Sequence, residues 1–386
     1  MKLSELPVSA AEATREYEAA IWSPQFVRAI VLDEAHIAPV IGEQDFARIS
    51  DELQVWDAWP VQNVDGSPSE LPGGSTLWMA LAAPEAPDPD ARHAVARIHL
   101  FQRDNGGWTP LGPVMPDGFS PGSREWSGSA VLADDRKTLT LYFTATGVRG
   151  EPEPSFVQRL FVAHAQLAGS QGTWHFSGWN GLEEIVTRDP AFYMAGDAGG
   201  GVPGAIKAFR DPAYFRDPAN GKQYLFFAGS QAGSDSAFNG VIGVARVRKG
   251  GTEWLLMPPL ISADTLNNEL ERPHAICHAG RYYLFWSTQS HVFNPEGPLG
   301  PTGLYGMVSE KLEGGWRPLN GSGLVFANPP AAPMQAYSWL VLPDLTVSSF
   351  VDNWGQGGDV QPRRFGASFA PELKLVLDGD NARLAL

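Results

Sequence analysis

Along this chain the hydrophobic positions come in short, nearly unbroken runs rather than at helical spacing. Five runs share one character: "TLWMALAAP" from Thr76, "LTLYFTATG" from Leu139, "YLFFAGS" from Tyr224, "YYLFWSTQ" from Tyr282 and "VSSFVDNW" from Val347. Each is aromatic and aliphatic, too short for an ordinary helix and followed by turn-forming residues, as buried β-strands are. Their starts lie about 60 to 85 residues apart. That period suits a unit of four antiparallel strands with generous loops, and five such units fill the chain. The expected fold class is therefore all-β, a five-bladed β-propeller with a central funnel, and residues 1–386 form one domain. A pair of β-sandwiches is the rival, but no Pro/Gly/Ser-rich linker divides the chain.

A polar cluster lies shortly before each apolar run. In order these are "VWDAWP", "REWSGSA", "FRDPAYF", "NELERPH" and "QAYSWLV". The innermost strand of a propeller blade lines the central channel, and the next strand outward is more buried. If each cluster is an inner strand and each run its neighbour, residues scattered over some 280 positions converge on one funnel.

Composition agrees with this picture. Gly 42 and Pro 32 are both high, helix-favouring charged runs are scarce, and hydrophobic content is an ordinary 43%. The 28 basic and 43 acidic residues leave a formal charge of −15, which disfavours nucleic acid and anionic membranes as partners and suits a neutral ligand. The single cysteine, Cys277 in "HAICHAG", excludes an intrachain disulfide and reads as a buried inert thiol. The N-terminus lacks the apolar core of a secretory signal, and no run reaches the ~18 to 20 apolar residues that span a bilayer.

Charge placement suggests chemistry. In "VWDAWPVQN" one carboxylate, Asp57, stands between two tryptophans. An isolated buried acid is costly, so Asp57 either caps a turn in a core strand or serves a ligand. Flat apolar faces beside a polar group suit a sugar, whose C–H surfaces stack while its hydroxyls bond. Asp211 in "FRDPAYF" and Glu271 in "NELERPH" join it as candidates. Glycoside cleavage with retention needs a carboxylate nucleophile and, roughly 5 to 5.5 Å away, a second carboxyl that protonates the leaving oxygen. A third acid holds hydroxyls as positive charge develops. Arg210 is placed to keep Asp211 ionised, and Glu269, two residues before Glu271, to raise the pKa of Glu271.

Each motif also has a plainer reading. "RDP" suits a strand-end salt bridge before a turn proline, and "ELERPH" a charged edge strand. His274 and His278 lack a third metal ligand, and no metal site is expected. The glycine run "GDAGGGVPG" from Gly196 lacks the ending of a phosphate loop and reads as a mobile surface loop.

Taken together and in order, the motifs resemble glycoside hydrolase family 68, the bacterial levansucrases, inulosucrases and β-fructofuranosidases acting on sucrose. The match runs from "VWDAWPVQ" through "EWSGSA", "FRDPAYF" and "ERPHAICHAGRYYLF" to "LNGSGLVFANPP" and "MQAYSWLVLP". The family's fold is a five-bladed propeller. The resemblance implies Asp57 as the nucleophile that forms a covalent fructosyl-enzyme, Asp211 as transition-state stabiliser and Glu271 as general acid/base. It implies Trp56, Trp126 and Ser127 around the fructosyl unit, with Arg210, Glu269, Arg272 and Tyr337 holding sucrose. Some relatives bind calcium; no local ligand cluster is evident here, and no cofactor is expected. The implied partners are sucrose and sugar acceptors: fructose, glucose and fructo-oligosaccharides. Family members without a signal peptide leave the cell by other routes, so secretion by such a route is expected, with a cytoplasmic location as the alternative.

One position departs from the family. Eighteen residues after Glu271, where levansucrases commonly carry Arg or His, stands Gln289, with His291 two residues on. The expected enzyme is thus a retaining β-fructofuranosidase/fructosyltransferase that favours hydrolysis and short-oligosaccharide transfer. Its rivals are a levansucrase making high-mass levan, a non-catalytic sugar-binding propeller and an arabinan-type furanosidase.

Overall fold

The computed structural model describes residues 19–105, 107–197, 205–355 and 363–385. Residues 1–18, where most of the N-terminal reading falls, and the glycine run from position 198 onward lie outside the described residues. The fold is all-β. After a short strand, β1 (Ala20–Ile21), five antiparallel meanders follow in chain order. The first is β2 (Leu53–Gln62), β3 (Thr76–Pro84), β4 (Arg97–Asp104) and β5 (Gly107–Pro113). The second is β6 (Arg124–Leu132), β7 (Thr138–Thr146), β8 (Gln158–Ala168) and β9 (His175–Glu184). The third holds β10 (Phe209–Arg216), β11 (Gln223–Ser230) and β12 (Gly240–Val247), with β13 (Trp254–Leu256) and β14 (Ile261–Ser262) both on β12. In the fourth, β15 (Glu271–His278), β16 (Arg281–Thr288) and β17 (Gly303–Ser309) are edged by β18 (Arg317–Pro318) and β19 (Leu324–Ala327). The last is β20 (Ala336–Val341), β21 (Thr346–Val351), β22 (Leu373–Asp378) and β23 (Asn381–Leu384).

The apolar runs are the second strands β3, β7, β11, β16 and β21. They read as unbroken because both faces are covered: Leu77 through Ala83 in β3 are all buried. The covering comes from neighbouring meanders. Phe209, Leu225 and Phe227 of the third pack on Val131, Tyr142 and Leu160 of the second. Phe226, Ile242 and Val244 face Leu284, Trp286 and Tyr305 of the fourth. Val55, Trp78 and Phe101 of the first meet Leu342 and Phe369 of the last, so the chain's two ends come together.

The polar clusters fall on the first strands, β2, β6, β10, β15 and β20; in "NELERPH" the strand begins at Glu271, and Glu269 lies just before it. Short parallel pairing of Val61 with Ala130 and Gln62 with Val131 ties β2 to β6. The N-terminal segment crosses outside the third and fourth meanders, where β1 pairs in parallel with β14 and Trp22 is buried. Among the described residues no helix is long and apolar enough to cross a membrane.

Candidate active site

The first strand of every meander slips register against its second strand at a corresponding place. Pairing shifts between Trp56 and Trp59, Trp126 and Gly128, Arg210 and Ala213, Glu271 and His274, and Tyr337 and Leu340. A bulge bends the strand and re-aims a side chain. In four of the five the residue that opens it is left-handed: Asp57 (φ 49°), Asp211 (63°), Arg272 (46°) and Ser338 (62°). Ser127 takes the fifth place. Holding a non-glycine residue there costs roughly 1–3 kcal/mol, a strain that concentrates at functional sites.

The repeat therefore presents two sets of register-equivalent side chains. Trp56, Trp126, Arg210, Glu271 and Tyr337 precede the bulges; Asp57, Ser127, Asp211, Arg272 and Ser338 open them. All of these line one cavity of about 650 Å³, and Glu269, Gln289 and His291 stand on the same wall. Every site residue expected from the sequence is thus brought together. The volume lies within the roughly 300–1,000 Å³ of small-molecule sites.

Hydrogen bonds run between meanders. Ser127 Oγ donates to Asp57 Oδ2 at 2.8 Å, and the Asp211 backbone N–H donates to Thr144 Oγ1 at 2.8 Å. Arg272 spans from β15 to two others, donating to Ser338 Oγ at 2.9 Å and to the Ala58 carbonyl at 2.7 Å. Arg210 is the hub: its Nη2 donates to Glu271 Oε1 at 2.6 Å and to Glu269 Oε2 at 3.3 Å, and its Nε lies 3.6 Å from Asp211 Oδ2. Tyr337 donates its hydroxyl to Glu271 Oε2. Among the described residues, Arg210 Nη1 and Trp126 Nε1 are buried donors without a hydrogen-bond partner. Both belong to cavity-lining side chains.

The ionisation pattern corrects two expectations. Arg210 does not hold Asp211 in the usual carboxylate range. Burial pushes that carboxyl up to about 7; Arg210 pulls it down, but the charges of Glu271 and Asp57 push it up again. Nor does Glu269 raise Glu271. Burial alone raises Glu271, but Arg210 and the Tyr337 hydroxyl outweigh it and hold the acid below its ordinary value. It is Glu269 that rises, to about 8, through burial first and the Glu271 charge next. Burial raises both acids, and their bonds separate them: Glu271 receives the short Arg210 and Tyr337 bonds, whereas Glu269 has contacts at 3.3 Å to Arg210 and Asn268, and the hydrogen bond between the two acids raises Glu269 and lowers Glu271. The pair as a whole therefore resists losing its last proton, with Glu269 the partner pushed towards the protonated form and Glu271 the one held towards the ionised form.

The structure adds wall residues that the sequence reading missed. The 3-10 turn Pro89–Ala94, between β3 and β4, brings Arg92 to 5.3 Å over the Trp56 ring and 4.3 Å over the Phe365 ring. His93 stands edge-on to Trp56 with ring centroids 5.7 Å apart. Its imidazole opens onto the cavity, yet surrounding protein and the guanidinium groups of Arg92, Arg363 and Arg210 hold its pKa well below the usual value. Arg363 bridges Asp90 of that turn to buried Asp352, beyond β21. The Pro- and Asp-rich "PDPDARHA" signals a turn but carries no sign of a partner some 270 residues away.

His274 is no metal ligand. Its Nε2 accepts from the Val341 N–H at 2.8 Å, so Nδ1 is the donor to the Arg272 carbonyl at 2.9 Å, and burial pushes the ring pKa down to about 4. Cys277 is half-buried, with burial raising its thiol pKa. The opposite ends of the five first strands line a larger cavity of about 930 Å³. Its buried acid, Asp217, already accepts from Tyr282, Ala219 and Asn220.

Comparison with known proteins bears on this site. A family model described as levansucrase/invertase matches residues 13–239 and 235–386. A levansucrase of Pseudomonas syringae pv. actinidiae is 31% identical over 98% of this chain and 94% of its own. Among solved structures, an inulosucrase from Halalkalicoccus jeotgali bound to kestose superposes with a TM-score of 0.87 at 35% identity, covering 95% of each chain. The catalytic domain of a β-fructofuranosidase from Microbacterium saccharophilum K-1 gives 0.83 at 25% identity, covering 98% of this chain and 93% of that one.

Proposed function

The chain belongs to the levansucrase/invertase family, glycoside hydrolase family 68, and from that premise we propose that it is a retaining β-fructofuranosidase and fructosyltransferase acting on sucrose. Glycoside hydrolase or fructosyltransferase activity is common to its relatives. The retaining route, the residue roles and the product preference are our reading. The observation that carries it is the convergence of Asp57, Asp211 and Glu271 on one cavity, with Arg210 paired to both Asp211 and Glu271. The five meanders are read as the five blades of one catalytic domain, their inner strands framing that cavity.

In this reading the Asp57 carboxylate attacks the anomeric carbon of the fructosyl unit while the bond to the glucosyl oxygen breaks. Glu271 gives that oxygen its proton, and glucose leaves. Asp211 hydrogen-bonds fructosyl hydroxyls as positive charge grows on the ring. Glu271, now a carboxylate, takes a proton from water or a sugar hydroxyl, whose oxygen attacks the same carbon and frees Asp57. Before the first step Glu271 needs the proton that Glu269 holds. Sucrose inserted against Arg210 or Tyr337 loosens the bonds that keep Glu271 ionised, and the proton passes across the pair. Trp56 and Trp126 line the cavity and Ser127 orients Asp57, while Arg272 fixes the relative position of β2, β15 and β20.

Gln289 on the cavity wall supports hydrolysis and short-oligosaccharide transfer over long polymer, because a neutral amide holds an acceptor sugar less firmly than a charged group does. Levan synthesis is the second reading, favoured by the levansucrase relatives and by His291 on the same wall. The deciding experiment is glucose release from sucrose. A sugar-binding protein releases none, and an arabinan-type enzyme requires its polymer. Asp57→Asn is expected to lower turnover by several orders of magnitude with the fold intact. Glu271→Gln is expected to be severely slowed but partly rescued by a substrate with a good leaving group. Near-normal sucrose cleavage by folded Asp57→Asn protein overturns the assignment.

A further inference from the structure

A buried lysine stands behind the carboxylate pair, outside the reacting groups. Lys207, three residues before Arg210, is 7% exposed, and its ammonium donates to the Ala237 carbonyl, to Asn239 Oδ1 at 2.9 Å and to Asn268 Oδ1 at 2.6 Å. An ammonium has three donors and no acceptor, so all three are used. Because it can only donate, it fixes which way each amide faces. Asn268 must turn its oxygen to Lys207, and its amino group then points to the Ile206 carbonyl at 3.0 Å and to Glu269 Oε1 at 3.3 Å. The Glu269 backbone is held separately, its N–H donating to Asn267 Oδ1 at 2.8 Å.

We propose that Lys207 is a positioning residue which, through Asn268, projects a fixed positive charge onto Glu269 and so sets how tightly the Glu269/Glu271 pair holds the proton that Glu271 delivers. The inference rests on the reading of Glu271 as general acid/base. Other charges face the pair from each side. Arg210 and Asp211 face it from β10 and the Tyr337 hydroxyl from β20, while Asp57 of β2 acts on Asp211 beside them. Arg210 spends its short bond on Glu271, which leaves Lys207 as the second cation acting on Glu269.

A positive charge favours the ionised form of Glu269 and weakens the pair's hold on its last proton. Removing that charge strengthens the hold. The alkaline limb of kcat/KM, where the pair loses this proton, is then expected to move to higher pH by about one unit in Lys207→Gln, the size expected of one charge several Å away in a partly polar interior. Lys207→Arg keeps the charge and is expected to leave the limb in place. A purely structural lysine lowers kcat or the melting temperature and moves no limb. Folded Lys207→Gln enzyme with an unmoved limb overturns the proposal, as does a Lys207→Arg limb displaced as far as that of Lys207→Gln. Should Lys207→Gln fail to fold, Asn268→Ala carries the test: loss of its N–H bond to Glu269 is expected to move the limb the same way, and no movement overturns the relay. A second readout needs no turnover. The infrared band of a protonated carboxyl that disappears in Glu269→Gln is expected to titrate at higher pH in Lys207→Gln. If the unsubstituted protein releases no glucose from sucrose, the catalytic reading fails and the infrared titration still decides the relay.

Discussion

At the scale of single residues, neighbours rather than residue type decide what a carboxylate does. Glu269 and Glu271 are two positions apart and share one arginine, yet one is pushed up and the other held down. Glu125 offers a control one residue from the cavity-lining Trp126. It is buried away from the cavity, accepts from the Ile98 N–H at 2.9 Å, and burial raises its pKa to about 6 from an ordinary 4.5, against the Ile98 bond and Arg97. Between pH 4.5 and 6 the unfolded chain gives up this proton while the folded chain keeps it, so stability falls as pH rises through that window and stays reduced above it. The cost is about 2 kcal/mol. Glu125→Gln keeps an acceptor for Ile98 and is expected to flatten the melting temperature over this range, as thermal unfolding in a series of buffers will show; an unchanged slope refutes the account. Gln289 sets a different balance. Water and sugars compete for one fructosyl intermediate, and about 1.4 kcal/mol of acceptor binding changes the product ratio tenfold. Gln289→His and Gln289→Arg are expected to raise transfer relative to hydrolysis without abolishing sucrose cleavage, read as free fructose against oligosaccharide. Abundant polymer from the unsubstituted protein sinks the idea, as does a ratio that responds only to His291.

Among elements, the repeated bulge is what turns five ordinary strands into a site. A regular strand alternates its side chains between faces, so consecutive residues cannot both serve one cavity. The bulge breaks that alternation and lets Trp56 with Asp57, Arg210 with Asp211, and Glu271 with Arg272 line the same wall. Gly128 shows how tight the arrangement is in β6. A Cβ there would lie 1.9 Å from the Tyr142 carbonyl oxygen and 2.8 Å from the Phe143 Cα, both backbone atoms that cannot swing aside. Gly128→Ala is expected to spread β6 from β7, displace Ser127 from Asp57 and lower both melting temperature and turnover. A variant with unchanged melting and kinetics contradicts this packing.

The whole molecule closes through contacts that are distant in sequence. Phe369 and Leu342 of the last meander pack on Trp78 and Phe101 of the first, and Arg103 pairs with Glu372 across the same seam. The N-terminal segment adds a latch. Trp22 is fully buried against Trp286, Phe293 and Tyr305, and its Nε1 donates to the Ser322 carbonyl at 3.0 Å. Further along, Gln335 ties that segment to β20, accepting from the Ile41 N–H at 2.9 Å and donating to the Pro39 carbonyl at 2.7 Å. Trp22→Ala is expected to cost about 3–5 kcal/mol, since it leaves a cavity and an unpaired carbonyl, while kcat at low temperature changes little because the latch is remote from the cavity. Denaturant unfolding and sucrose kinetics on the same sample separate the two effects. A stable variant, or an unstable one whose kcat collapses in parallel, counts against the latch.

Strand identity was legible in the sequence because burial writes itself into residue type. Runs such as "YLFFAGS" are continuous where both faces are covered, and clusters such as "FRDPAYF" are mixed where one face meets a polar cavity. The ordered motifs carried the site's membership for the same reason: functional side chains need those residue types wherever the fold puts them. Tertiary structure alone decided the rest. The left-handed backbone at Asp57, Asp211, Arg272 and Ser338 arises from pairing with a second strand, not from local preference, which opposes it. Lys207, Asn268, Arg92 and Arg363 are ordinary polar residues until folding aims them. The two acids are driven apart in pKa in part because one guanidinium reaches Glu271 at 2.6 Å and Glu269 at 3.3 Å, a difference of length that no pattern of letters contains.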